Sequence, residues 1–113
     1  MLAKENRLTK DRDFRRVKKE GTVIAGPSFA LALYFRDDDE PSRFGFVVSK
    51  KVDKNATKRS MIKRALSESL RHELAYVKKG YDGVFLVQPG AEKKYMSDLM
   101  QETKMVIKKA RLV

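Results

Sequence analysis

Apolar and polar positions along the chain change period several times, and each change marks an element. From Leu8 to Glu20 the apolar residues are sparse (Leu8, Phe14 and Val17) and set among charges. With Thr9 placed to cap and Gly21 to stop it, this stretch predicts a short helix whose polar face carries Arg12, Arg15, Arg16 and Lys19. Thr22 to Ala25, bounded by Gly21 and Gly26-Pro27, predicts a short strand. Phe29 to Phe35 and Arg43 to Ser49 predict two longer strands. Asp37-Asp38-Asp39-Glu40-Pro41 between them is expected to form the polar tip of an antiparallel pair. Side chains adjacent in a turn seldom converge on an ion, so this acidic run reads as a solvated turn rather than a metal site.

A basic, glycine-free connection from Lys50 to Lys58 leads into a long helix expected over Thr57 to Lys79, ended by Gly80. On a helical wheel Ile62, Leu66, Leu70, Leu74 and Val77 fall within about 120° of one another and form its buried stripe. Arg64, Arg71 and Lys78 lie nearly opposite, with Ser60 and Ser67 on the same outer face. Tyr81 to Val87 predicts a buried strand closed by Pro89-Gly90, and Ala91 to Ala110 a second long helix with Tyr95, Leu99, Val106 and Ala110 near helical spacing. The element order is α-β-β-β-α-β-α. The third strand, the helix and the fourth strand together are long enough for a crossover connection. The expectation is an α+β fold, a single domain over residues 1–113, with a mixed four-stranded sheet covered by helices.

Charge changes the picture most. Lys and Arg total 26 against 15 Asp and Glu, a formal net charge of +11. A surface this basic repels itself unless a polyanion neutralises it, and nucleic acid is the natural partner because each phosphate contact releases counterions. No segment pairs a basic face with a strongly apolar one, which argues against an anionic membrane surface. No apolar run approaches the roughly 20 residues of a membrane span, and Met1 to Arg16 has no apolar core of signal-peptide type. With no cysteine, thiolate chemistry and disulfides are excluded. These features read as a soluble, cytoplasmic protein.

An autonomous active site is hard to assemble. His72 is the sole histidine and reads as a surface residue of the long helix. Ser49-Lys50-Lys51 lacks the glycine spacing of a phosphate loop. Asp37 to Glu40, Asp53 and Asp82 show no arrangement that would suit two-metal cleavage. What stands out instead is a cationic segment: Lys50, Lys51, Lys54, Lys58, Arg59, Lys63 and Arg64 are opposed by Asp53 alone. Such groups on a loop and the first turns of a helix can follow a phosphate backbone, and Arg59 and Arg64 add planar forks.

The same segment carries a family resemblance. Phe44-Gly45-Phe46-Val47-Val48-Ser49-Lys50-Lys51-Val52, followed by Asn55-Ala56-Thr57-Lys58-Arg59, resembles the signature block of the ribonuclease P protein family. Asn6-Arg7-Leu8 with Asp13-Phe14-Arg15-Arg16-Val17 is similar to the family's opening helix, and Gly80-Tyr81-Asp82 to a strand entry. The resemblance implies a ribosomal-protein-like fold with a left-handed β-α-β crossover, where the general rule would choose a right-handed one. It also implies a subunit of a ribonucleoprotein in which the RNA cuts the 5′ leader from precursor tRNA, with Mg²⁺ bound mainly through RNA and substrate. On this resemblance the catalytic RNA is bound by Lys50, Lys51, Lys54, Lys58, Arg59, Ser60, Lys63, Arg64 and Ser67. A leader-binding cleft is formed by Arg12, Phe14, Arg15, Lys18 and Tyr34. The protein alone is not expected to cleave, and no obligate protein partner is evident.

The chain departs from the family pattern at Ser60 and Met61, where Asn and the second Arg of an Arg-Asn-Arg motif are usual. It departs again at Ser67, usually Arg, and at Lys18, commonly aromatic. A point charge does not reproduce a planar fork. These departures support the alternative of a non-enzymatic ribosome-associated RNA-binding protein of similar fold. Alternation puts Phe29 and Tyr34 on opposite faces of their strand without choosing which of them lines the cleft.

Overall fold

A computed structural model describes residues 2–113, so Met1 of the charged N-terminal stretch lies outside the described residues. The elements are α1 (Asp11–Glu20), β1 (Thr22–Ala25), β2 (Phe29–Phe35), β3 (Arg43–Val47), α2 (Ala56–Glu73), β4 (Tyr81–Val87) and α3 (Met96–Lys109). Single turns of 3₁₀ helix occur at Lys4–Asn6, Leu74–Tyr76 and Ala91–Lys93. No helix among the described residues is long and apolar enough to cross a membrane.

The four strands form one mixed sheet in the order β1-β2-β4-β3. β1 pairs antiparallel with β2, β2 antiparallel with β4, and β3 parallel with β4. The hairpin expected between β2 and β3 is therefore absent, because β4 lies between them. β4 is the strand apolar enough to be buried on both faces, which suits a central position. The acidic linker is held by other means. Asp37 adopts a left-handed backbone with φ of 60°, and the Asp38 carboxylate accepts from the Glu40 amide at 3.1 Å. The Gly80 amide donates to the Glu40 carbonyl at 2.9 Å. Gly80 itself has φ of 90°, and a Cβ there would stand 2.6 Å from the Asp38 carbonyl oxygen, so glycine is required on both counts.

Strand alternation sorts the side chains into two layers. Phe29, Leu31, Phe44 and Phe85 pack under α2 and α3 with Ile62, Leu66, Leu70, Leu99 and Ile107. Phe29 meets Phe85 edge-on at 5.5 Å and Phe46 stacks on Phe85 at 5.2 Å. The opposite face is lined by small or branched residues, Ala32 and Val84, which meet Leu8 and Val17, with Phe14 and Tyr34 packed against them. Phe29 thus belongs to the main core and Tyr34 to the α1 face.

Helix bounds differ from the periodic pattern for local reasons. α1 begins at Asp11 rather than Leu8, because Leu8 lies in an extended segment whose amide donates to the Phe44 carbonyl at 3.0 Å. Thr9 is not its cap; Lys10 occupies that position without a side-chain bond. Asn55 caps α2, its side chain accepting from the Thr57 and Lys58 amides. The helix ends at Glu73 and tightens into the 3₁₀ turn, so Lys78 is not on it; the Lys78 amide donates instead to the Leu112 carbonyl. The last helix starts at Met96, since Tyr95 is extended and exposed.

Candidate nucleic-acid interface

The loop leading into α2 is closed by its own side chains. The Arg59 guanidinium donates to the carbonyls of Asp53 at 2.9 Å and Lys54 at 3.0 Å, while the Asp53 carboxylate accepts from the Asn55 amide at 2.8 Å. Arg59 is half-buried, and both of these bonds come from its Nη1. Lys50, Lys51, Lys54 and Lys58 remain exposed around it, and Ser60, Lys63 and Arg64 are exposed on the next turns. Lys63 and Arg64 have no carboxylate partner among the described residues.

Ser67 does not share their exposure. The wheel places it outward, but it is 8% exposed, and its hydroxyl donates to the Arg64 carbonyl at 3.1 Å. Leu2 and Arg7 to Thr9, from the N-terminal segment, stand across a shared recess from Ser67 on that flank of α2. A wheel drawn for one helix cannot register a neighbour that arrives from another part of the chain.

The other face of the sheet holds α1, with Arg12, Arg15 and Lys18 exposed along it. Phe14 leans onto the backbone of β3 at Gly45, where a Cβ would come within 2.4 Å of the Phe14 ring. A side chain at that position would push the ring off the sheet. Asp11, Phe14, Arg15 and Lys18 then line a cleft of about 650 Å³ together with Phe46, Val47 and Val48 and with Lys63 of α2. Arg12 lies in a separate recess of about 540 Å³ with Lys10, Arg16, Arg36 and Arg43. Tyr34 lies apart again, half-buried, with the Arg16 guanidinium 4.8 Å from its ring centroid. The structure thus brings Phe14, Arg15, Lys18 and Lys63 together and leaves Arg12 and Tyr34 in adjoining recesses.

Sequence reasoning missed a cluster of arginines behind this cleft. Asp82, fully buried in β4, accepts from Arg16 at 3.0 Å, from Arg36 at 3.0 Å, and from Arg43 Nε and Nη2 at 2.9 and 2.7 Å. Asp13, buried on α1, faces Arg16 at 3.3 Å and Arg43 at 3.4 Å. The hydrogen bond to Asp82 is the main reason the Arg43 guanidinium is held above its ordinary pKa, with the charges of Asp82, Asp13 and Asp38 adding to it against the opposing effect of burial. The available signal was Asp82 itself, one charge inside an otherwise apolar strand. The cluster clamps α1 to β2, β3 and β4, and so fixes the helix that carries Phe14.

These carboxylates are engaged by guanidiniums, and among the described residues no three His, Cys, Asp or Glu side chains gather as metal ligands. Asp13 and Asp82 are thus committed to arginines. His72 is exposed on α2 and faces Glu68 at 3.7 Å.

A family model described as Ribonuclease P matches residues 2–111. The chain is 34% identical over 128 residues to the ribonuclease P protein component of a Cyanothece species, covering 100% of this chain and 98% of that one. It is 36% identical over 111 residues to that of Clostridium acetobutylicum, covering 97% and 92%. Among solved structures, the RNase P protein of Staphylococcus aureus superposes with a TM-score of 0.88 at 27% identity, covering 96% of this chain and 98% of that one. The RNase P protein of Thermotoga maritima superposes with a TM-score of 0.80 at 26% identity, covering 91% and 96%.

Proposed function

The chain belongs to the ribonuclease P protein family and is a ribonuclease P protein component, and from that premise we propose that it binds the holoenzyme's catalytic RNA through the start of α2 and the 5′ leader of precursor tRNA through the cleft beside α1. The observation that carries this reading is the cleft itself, in which Phe14, Arg15 and Lys18 of α1 meet Lys63 of α2. Leader and catalytic RNA then lie on adjoining surfaces of one small protein. The exposed lysines and Arg64 reduce repulsion between the phosphates of the two RNAs. The RNA subunit cleaves the phosphodiester bond, with Mg²⁺ held mainly by RNA and substrate, and the protein contributes no catalytic side chain.

Phe14 presents a sequence-tolerant stacking surface to a leader base. Phe14→Ala in the holoenzyme is expected to weaken binding of a leader-bearing precursor roughly tenfold, within the 1–3 kcal/mol that stacking of one base contributes. Affinity for mature tRNA is expected to change less than about twofold. Equilibrium binding of the two substrates checks this, and an equal loss on both would contradict a leader contact at Phe14.

A further inference from the structure

A second cavity, of about 420 Å³, opens between the extended N-terminal segment and the first turns of α2. We propose that it is a nucleobase pocket, receiving one unstacked base of a bound RNA strand whose flanking phosphates rest on Lys63 and Arg64. The proposal rests on the reading that α2 faces RNA, and adds to it a site for a base.

Three observations point to this ligand. The floor is apolar: Leu2, Leu8 and Phe44 line it and are 4%, 5% and 2% exposed. The volume lies within the roughly 300–1,000 Å³ of small-molecule sites, and such sites pair an apolar lining with a few polar groups. Here they include the hydroxyls of Thr9, Ser60 and Ser67 beside the cations Arg7, Lys63 and Arg64. Ser60 and Ser67, two turns apart on one face of α2, leave the space open because they are small. Ser67 Oγ uses its proton on the Arg64 carbonyl and keeps its lone pairs, so it can accept from a base edge. Hydroxyls that donate or accept suit bases of either kind.

Charge selects the rest of the ligand. No carboxylate is among the lining residues, whereas the neighbouring recess of about 540 Å³ includes Glu5, Asp38 and Glu40. Lys63 and Arg64 stand at the rim without acidic partners among the described residues. A planar group with anionic flanks fits; an acidic or purely apolar partner leaves either the floor or the rim unmatched. The pocket adjoins the leader cleft on the side of α2 away from Arg15 and Lys18, and Phe14, Phe46 and Lys63 line both.

The test uses the full chain, ¹⁵N-labelled, titrated separately with uridine 5′-monophosphate and with ribose 5-phosphate, which lacks the base. The nucleotide is expected to shift the amides of Leu8, Thr9, Ser60 and Ser67 saturably and to bind about tenfold tighter than the sugar phosphate, the ratio one stacked base gives. The sugar phosphate is expected to perturb only the surroundings of Lys63 and Arg64. Ser67→Leu fills the cavity and should remove the tenfold advantage. Ser60→Leu, at an exposed position that tolerates substitution, should narrow the mouth with the same loss. Equal binding of the two probes, or nucleotide shifts confined to Tyr34 and Lys18, would overturn the pocket. Precursor cleavage that still depends on the chain in that case would leave the proposed function standing. A base advantage present without any stimulation of cleavage would keep the pocket and remove the function.

Discussion

Asp82→Ala is expected to destabilise the protein by about 3–5 kcal/mol, the loss typical when one member of a buried ion pair is removed. Asp82 is fully buried and receives three guanidiniums, so its removal leaves Arg16, Arg36 and Arg43 facing one another with only Asp13 and Asp38 nearby. For a domain of this size the shift in thermal midpoint is of order 15–20 °C. A total stability of roughly 5–15 kcal/mol leaves little margin for such a change. The effect should reach function as well, because Arg16 on Asp82, with Asp13 on Arg43, ties α1, and with it Phe14, to the sheet. Thermal unfolding followed by circular dichroism checks the size, and a loss below about 1 kcal/mol would contradict a structural role for the cluster. Arg43 is held charged beyond its ordinary range, so its contribution is fully present at neutral pH and is lost only as pH rises past the guanidinium range. Stability from this cation is accordingly flat between mildly acidic and mildly alkaline pH.

The second large effect concerns assembly with RNA. Lys50, Lys51, Lys63 and Arg64 are exposed, and none has a carboxylate partner among the described residues. Replacing all four by alanine is expected to weaken binding of the catalytic RNA by roughly 100–1,000-fold at low salt. It should also lower the slope of log affinity against log salt by about 3, since each phosphate contact contributes roughly 0.7–0.9. An unchanged slope would contradict phosphate contacts at these residues. Arg59 is left out of this variant for a structural reason. Its guanidinium is engaged by the Asp53 and Lys54 carbonyls, so Arg59→Ala would disturb the loop that displays the lysines as well as removing a charge.

The parts of the fold governed by short-range pattern were legible in the sequence. β2 and β4 run from Phe29 to Phe35 and from Tyr81 to Val87 as expected, and Ile62, Leu66 and Leu70 are the fully buried stripe of α2. What was not legible depends on contacts between distant segments. Strands adjacent in sequence suggested a hairpin, but β4 separates β2 from β3, and only the two-sided burial of Tyr81 to Val87 hinted at its central place. The exposure of Ser67 was misjudged because it lines a recess whose other wall, Leu2 and Arg7 to Thr9, comes from the far end of the chain. Arg16, Arg36 and Arg43 looked like ordinary surface cations until Asp82 brought them together from three elements. At the candidate site, Phe46, Val47 and Val48 of the family-like block line the cleft. Which residues share a cavity, however, followed from the packing of α1 on β3.

The most direct test of the central claim is cleavage of a 5′-labelled precursor tRNA at low Mg²⁺ with three samples: catalytic RNA alone, protein alone, and the two together. The account predicts cleavage at the mature 5′ end only when both are present, with protein alone inert. Cleavage by the protein alone, or no stimulation by a chain that still binds the RNA, would contradict it.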